Sequence, residues 1–133
     1  MSKVKKRVLV IVVAILVIGL AIGTKYLVDV EAYKSQVAAL QIEDFNLAEV
    51  PDGTYTGAYD ARFIKVKVQV DVKDHRISHI ALIQHENGKG SPAEAIIPKV
   101  IEAQSLEVDT ISGATNSSRV ILKSIEIALS KTS

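Results

Sequence analysis

At 133 residues the chain has room for one domain and an appendage. It has no cysteine, which excludes a disulfide framework, a lipid-modified cysteine, an iron–sulfur cluster and a CxxCH-type haem. The formal charge of +1 hides an asymmetry, because four of the sixteen Lys and Arg fall in the first seven positions. Residues 24–133 therefore carry twelve bases against fifteen acids, a balance of −3 with no clustered basic face, which argues against nucleic acid as a partner.

Residues 8–23 (VLVIVVAILVIGLAIG) form an uninterrupted apolar run behind Lys3, Lys5, Lys6 and Arg7. Sixteen helical residues reach about 24 Å, short of a hydrocarbon core of roughly 30 Å. Extension to Val28 closes the gap if Lys25 snorkels to the far interface beside Tyr26. The basic flank keeps the N-terminus cytoplasmic and sends the remainder outside. A cleaved signal peptide is the alternative, with Ala21-Ile22-Gly23 as the cleavage site, although the run exceeds the usual h-region of about 7–15 residues. Both readings export the domain. The expected organisation is a cytoplasmic tail over 1–7, a single-pass cell-membrane anchor over 8–28, a stalk and linker over 29–50, and an extracytoplasmic domain over 51–133.

In the stalk, Tyr26, Val30, Tyr33, Val37 and Leu40 fall at helical spacing, for a stalk continuing the anchor or a helix packing on the domain. Residues 42–51 read as linker. After the turn signal Pro51-Asp52-Gly53, residues 54–59 read as a first strand. The clearest β-signal follows in FIKVKVQVDVK (63–73), where Ile64, Val66, Val68, Val70 and Val72 alternate with Lys65, Lys67, Gln69, Asp71 and Lys73. Asp74-His75 makes a turn, and RISHIALIQ (76–84) returns as the antiparallel partner.

A polar, glycine-rich loop occupies 85–91. Ser91 and Pro92 then signal a helix start. Ala93, Ile96, Ile97, Val100 and Ile101 line one face of that helix, and Pro98 must kink or restart it. A final helix carries Val120, Ile121, Ile125, Ala128 and Leu129 as its buried stripe, with Ser124 among them. The fold class is α+β: a small antiparallel sheet, a strand plus a hairpin meander, packed with two C-terminal helices behind the membrane helix and stalk.

Between the last two helices stands DTISGAT (109–115). The final helix begins close to Thr115, so free N–H groups and the positive end of the helix dipole face that position, an arrangement that binds phosphate. Gly113 and Ala114 remove bulk on the approach to the Thr115 hydroxyl, and Ser112, Asn116 and Ser117 can add hydrogen bonds. A phosphate ester on Thr115 fits these residues. So does a plain helix cap made by Thr115 or Asn116.

The stretch resembles the flavinylation motif of the extracytoplasmic FMN-binding domain. That domain occurs in the C subunit of the sodium-pumping NADH:quinone oxidoreductase, in the G subunit of the Rnf complex and in small membrane-anchored modules. The pattern is Asp, three positions ending in Ser or Thr, then Gly-Ala-Thr, which Asp109, Ser112, Gly113, Ala114 and Thr115 fit. DGTYTG (52–57) is similar to the domain's opening strand and HENGKG (85–90) to the loop of the small modules. That loop more often reads Glu-Thr-Pro-Gly in the oxidoreductase subunits. Ala103-Gln104-Ser105 with Val108-Asp109 resembles the approach to the motif, so the likeness covers 51–131.

The resemblance implies covalent FMN on Thr115, attached through a phosphoester by a separate flavin transferase that uses FAD. It implies that Asp109 serves recognition or catalysis during that transfer, and that Ser112, Gly113 and Ala114 shape the site. His85 resembles a family position near the flavin, with Asn87 and Gly88 in the same loop, while a strand-end histidine for His85 and a plain turn for Asn87-Gly88 stay open as the other readings. The implied role is an electron carrier rather than an enzyme, with an unidentified membrane redox partner and membrane lipid around the anchor. A domain that binds flavin or another ligand without a covalent bond, and a purely structural exported domain, stay open as alternatives. Tyr55 and Tyr59 suit either a flavin ring or a sheet face. His75 and His79 read as exposed, no metal site is expected, and Gly88-Lys89-Gly90-Ser91 lacks the spacing of a phosphate loop.

Overall fold

A computed structural model describes residues 2–86 and 91–130. The chain divides into two compact units, Met1–Lys34 and Ser35–Ser133.

The first unit is the greater part of one long helix, α1 (Lys3–Ala38). Ser2 caps its start, its hydroxyl accepting from the Lys5 N–H at 3.3 Å. By length and composition α1 is able to cross a membrane, with a mean hydropathy of 2.7 over its most apolar window.

The second unit is built on an antiparallel meander of β1 (Gly53–Asp60), β2 (Lys65–Lys73) and β3 (Arg76–Glu86), in that spatial order. The alternation in β2 is realised as expected: Val66, Val68, Val70 and Val72 are buried, and Lys65, Lys67 and Lys73 are exposed. Asp74 and His75 form the two-residue β2–β3 turn, with φ of 53° and 59°. Left-handed conformation at both positions is what a hairpin turn matched to strand twist requires. β3 bulges against β2 at two places, and the pairing then places His85 opposite Val66.

Two further helices follow, α2 (Ile96–Ala103) and α3 (Thr115–Ser130). The helix expected to start at Ser91 and to be kinked or restarted at Pro98 is a 3-10 turn over Ser91–Ala95 followed by α2, so the break falls just ahead of the proline. Pro98 falls in the first turn of α2, where no backbone partner awaits its missing N–H. α3 packs on β1 and β2, and α2 packs on β3. Val120, Ile121, Ser124, Ile125, Ala128 and Leu129 are buried on α3, as their spacing predicts.

The contact of β1 with α3 is very close. A Cβ on Gly57 would lie 2.1 Å from the Ser124 carbonyl oxygen and 2.5 Å from the Ala128 nitrogen. Glycine there lets strand and helix backbones touch. The last turn of α3 shares a cleft with Asn46, Glu49 and Val50, just ahead of β1. α3 therefore runs back along β1, and its first residue points to the end of the sheet where β1 stops, β2 begins and β3 finishes.

Residues 37–44 are strapped along α3. The Arg119 guanidinium donates to the Val37 and Leu40 carbonyls, and Lys123 Nζ donates to the Gln41 carbonyl at 3.1 Å. Glu126 accepts from the Glu43 N–H at 3.1 Å. These three side chains lie at i, i+4 and i+7, on one helical face.

Candidate functional site

The approach to DTISGAT starts where α2 ends. Gln104 terminates the helix in left-handed conformation, its N–H bonded to the Val100 carbonyl at 2.7 Å. Asp44 then pins the next two residues, accepting from the Ser105 hydroxyl at 2.6 Å and the Leu106 N–H at 3.1 Å. Partial desolvation pushes the Asp44 carboxyl up. The hydrogen bonds from Ser105, Leu106 and Phe45 outweigh it and leave the carboxyl below its usual value.

The motif closes as a turn, the Ala114 N–H bonding the Ile111 carbonyl at 2.9 Å. Buried Ser118, one turn into α3, ties it from beneath. Its hydroxyl accepts from the Ile111 N–H at 3.1 Å and donates to the Ala114 carbonyl at 2.8 Å. The Ser118 N–H also bonds Ala114, which makes this the first helical hydrogen bond of α3. The N–H groups of Thr115, Asn116 and Ser117 thus precede the helical ladder and lie at its positive end.

Thr115 is the first residue of α3, and it is exposed. Among the described residues its hydroxyl has no hydrogen-bond partner. A capping role for Thr115 or Asn116 is therefore not realised: Ala114 holds the cap position, and the side-chain bonds at the turn come from Ser118. The small residues also have reasons other than the expected clearing of bulk. Gly113 has φ of 80°, and a Cβ built on it meets nothing within 4 Å, so it serves conformation. Ala114 is buried, so its size serves packing.

Ser112, Gly113, Ala114, Thr115 and Asn116 are thus brought together in one turn and helix start. Ser112 is exposed and Asn116 half-buried. Asp109 is also exposed and lines a separate open cleft of about 510 Å³ with Lys99, Glu102, Ala103, Glu107 and Val108. His85 lies on β3 opposite buried Val66, and directly opposed residues share a face, so it belongs to the helix-covered side of the sheet. Its side chain is 3% exposed, and Nδ1 lies 3.3 Å from Glu94 Oε1. His85 is placed at the sheet end toward which α3 points. Asn87 and Gly88 lie outside the described residues.

Tyr55 and Tyr59 flank Gly57 on the sheet face turned to α3, and both hydroxyls are engaged, with the Pro51 carbonyl at 2.6 Å and the Gln36 side chain at 3.0 Å. His75 and His79 are exposed.

Three residues around the site escape the sequence reading: Ser118, Lys99 and Arg119. For Ser118 a signal exists, because it extends the buried stripe by one turn back from Ile121 and Ile125. Lys99 and Arg119 carry no local pattern. Taken together, the exposed hydroxyl, the N–H groups that precede the helical ladder and the open space beside Gly113 suit an anion at the helix start.

A family model described as "FMN-binding domain" matches residues 61–130, from the end of β1 through the whole of α3. An uncharacterized protein of Treponema pallidum (strain Nichols) is 23% identical over 119 residues, covering 86% of this chain and 33% of that protein. The chain spans about a third of that relative's length.

Proposed function

The chain belongs to the FMN-binding domain family, and on that premise we propose that it is a membrane-anchored, extracytoplasmic electron carrier holding FMN in phosphoester linkage to the Thr115 hydroxyl. The observation that carries this reading is the exposed Thr115 hydroxyl, without a hydrogen-bond partner among the described residues, on the first residue of a sixteen-residue helix. The N–H groups of Thr115, Asn116 and Ser117 and the helix dipole stabilise negative charge beside it.

A separate flavin transferase joins the two. Thr115 Oγ1 forms a bond to the FMN phosphorus of FAD, the pyrophosphate bond breaks, AMP leaves with the electron pair, and the hydroxyl proton is released. When bound, FMN supplies reversible electron transfer. Asp109 stands upstream of the acceptor in an open cleft where a transferase can reach it, and His85 stands at the same end of the sheet as α3's start. The apolar length of α1 supports an anchor in lipid, and the basic residues ahead of it support an N-terminus held in the cytoplasm. A membrane redox partner donates or receives the electrons.

The test is the intact mass of the full chain, co-produced with a flavin transferase in the compartment where that enzyme works. The expected result is a gain of FMN less water in the native chain and none in Thr115→Ala. Flavin released on denaturation with no added mass would instead support non-covalent binding. A chain that takes up no flavin beside an active transferase would support a structural role.

A further inference from the structure

Arg119 is half-buried, and two of its five N–H groups are committed, Nε to the Val37 carbonyl at 3.0 Å and Nη2 to the Leu40 carbonyl. Among the described residues it pairs with no carboxylate. A partly desolvated guanidinium satisfied only by carbonyl dipoles retains its demand for an anion. Arg119 lies four residues after Thr115, on the same helical face, where side chains are about 5–6 Å apart at Cβ. Helical side chains also lean toward the N-terminus, which carries Arg119 over the turn that Thr115 begins.

Other cations near the motif are less suited. Lys123 stands a further turn away and is bonded to the Gln41 carbonyl and Glu126. Lys99 shares its cleft with Glu102, Glu107 and Asp109, which already supply negative charge.

We propose that Arg119 is the residue that grips the phosphodiester anion on Thr115, using its uncommitted N–H groups while it keeps the Val37 and Leu40 carbonyls. The planar guanidinium suits two-point recognition of phosphate, and its fixed position lowers the ordering cost. One side chain then holds both the cofactor's phosphate and residues 37–44, so flavin attachment tightens that strap on α3. This inference rests on Thr115 as the attachment point.

The test compares the full chain with and without attached flavin, sorted by intact mass, using hydrogen exchange at the Leu40 and Glu43 amides, which are bonded to Val37 and Glu126. In the native chain, attachment should slow exchange at both amides about tenfold and shift the phosphorus-31 resonance relative to Arg119→Gln. In the fraction of Arg119→Gln that carries FMN, the slowing should vanish. Arg119→Lys keeps the charge without the fork and should recover only a fraction of it. A purely structural Arg119 would alter exchange equally with and without flavin. Equal exchange in the two native forms, or slowing that survives in Arg119→Gln, would overturn the proposal.

A chain with no FMN on Thr115 would overturn the attachment reading instead. The grip on an anion is then tested by Thr115→Asp against Thr115→Asn, where slowing that requires Arg119 retains it and its absence refutes it.

Discussion

The Gln104 carboxamide pairs with both backbone polar groups of Ile77, Oε1 accepting from the N–H at 2.7 Å and Nε2 donating to the carbonyl at 3.0 Å. Ile77 lies on β3, an edge strand of the meander, so this side chain does what one residue of a fourth strand would do. The residue that stops α2 also covers the sheet edge and starts the approach to DTISGAT.

Gln104→Leu keeps the bulk but leaves the Ile77 N–H and carbonyl without that partner. The expected loss of stability is about 1–3 kcal/mol, the range for orphaned, partly buried polar groups. Thermal unfolding should show it as a fall of roughly 4–8 °C per kcal/mol for a domain of this size. An unchanged melting temperature would mean that water replaces the carboxamide without cost.

Gly57 and Gly113 should fail in different ways. At Gly57 a methyl group collides with the backbone of Ser124 and Ala128, and neither can rotate aside. Gly57→Ala should cost about 3 kcal/mol, the upper part of the usual overpacking range. At Gly113 there is space, and only the left-handed conformation resists a side chain, at about 1–2 kcal/mol. Urea titrations of the two variants should therefore rank Gly57→Ala as the less stable, and the opposite order would refute the close strand–helix contact.

These two glycines also mark what the sequence makes legible. Period-two alternation over Ile64 to Val72 and the stripe from Val120 to Leu129 announce strand and helix, because each repeats with the geometry of its element. The Asp74-His75 turn and the restart at Pro98 are legible through backbone chemistry local to those residues. The ties among distant segments are not. Nothing in the spacing of Arg119, Lys123 and Glu126 reveals that they grip backbone groups between Val37 and Glu43, since side chain to backbone bonds leave no periodic trace. DTISGAT is legible as a turn before a helix, but the hydroxyl that ties it is Ser118, outside the motif.

Ser118 and Thr115 provide a contrast between support and chemistry. Ser118→Ala removes the acceptor for the Ile111 N–H and should cost about 1–2 kcal/mol. With the turn loosened, attachment of FMN to Thr115 should slow in an intact-mass time course. Thr115→Val keeps the branched shape at an exposed position whose hydroxyl has no partner among the described residues, so its stability should stay within about 0.5 kcal/mol of native. The same variant should acquire no FMN at all. If Thr115→Val instead unfolded the domain, its hydroxyl would be part of the fold rather than free for chemistry.

Asp44 sets an acid limit on the approach to the site. Its folded carboxyl sits below the ordinary value of 3.8, despite partial desolvation, because the Ser105 hydroxyl and the Leu106 and Phe45 N–H groups bond its ionised form. A depressed carboxyl contributes stability that is complete above its unfolded value and is lost as pH falls through the folded one. The native chain should therefore lose stability from about pH 5 downward. Asp44→Asn should start less stable at neutral pH and show a shallower decline over the same interval. Denaturant midpoints measured between pH 7 and the acid transition give both slopes, and parallel curves would remove Asp44 from the acid response.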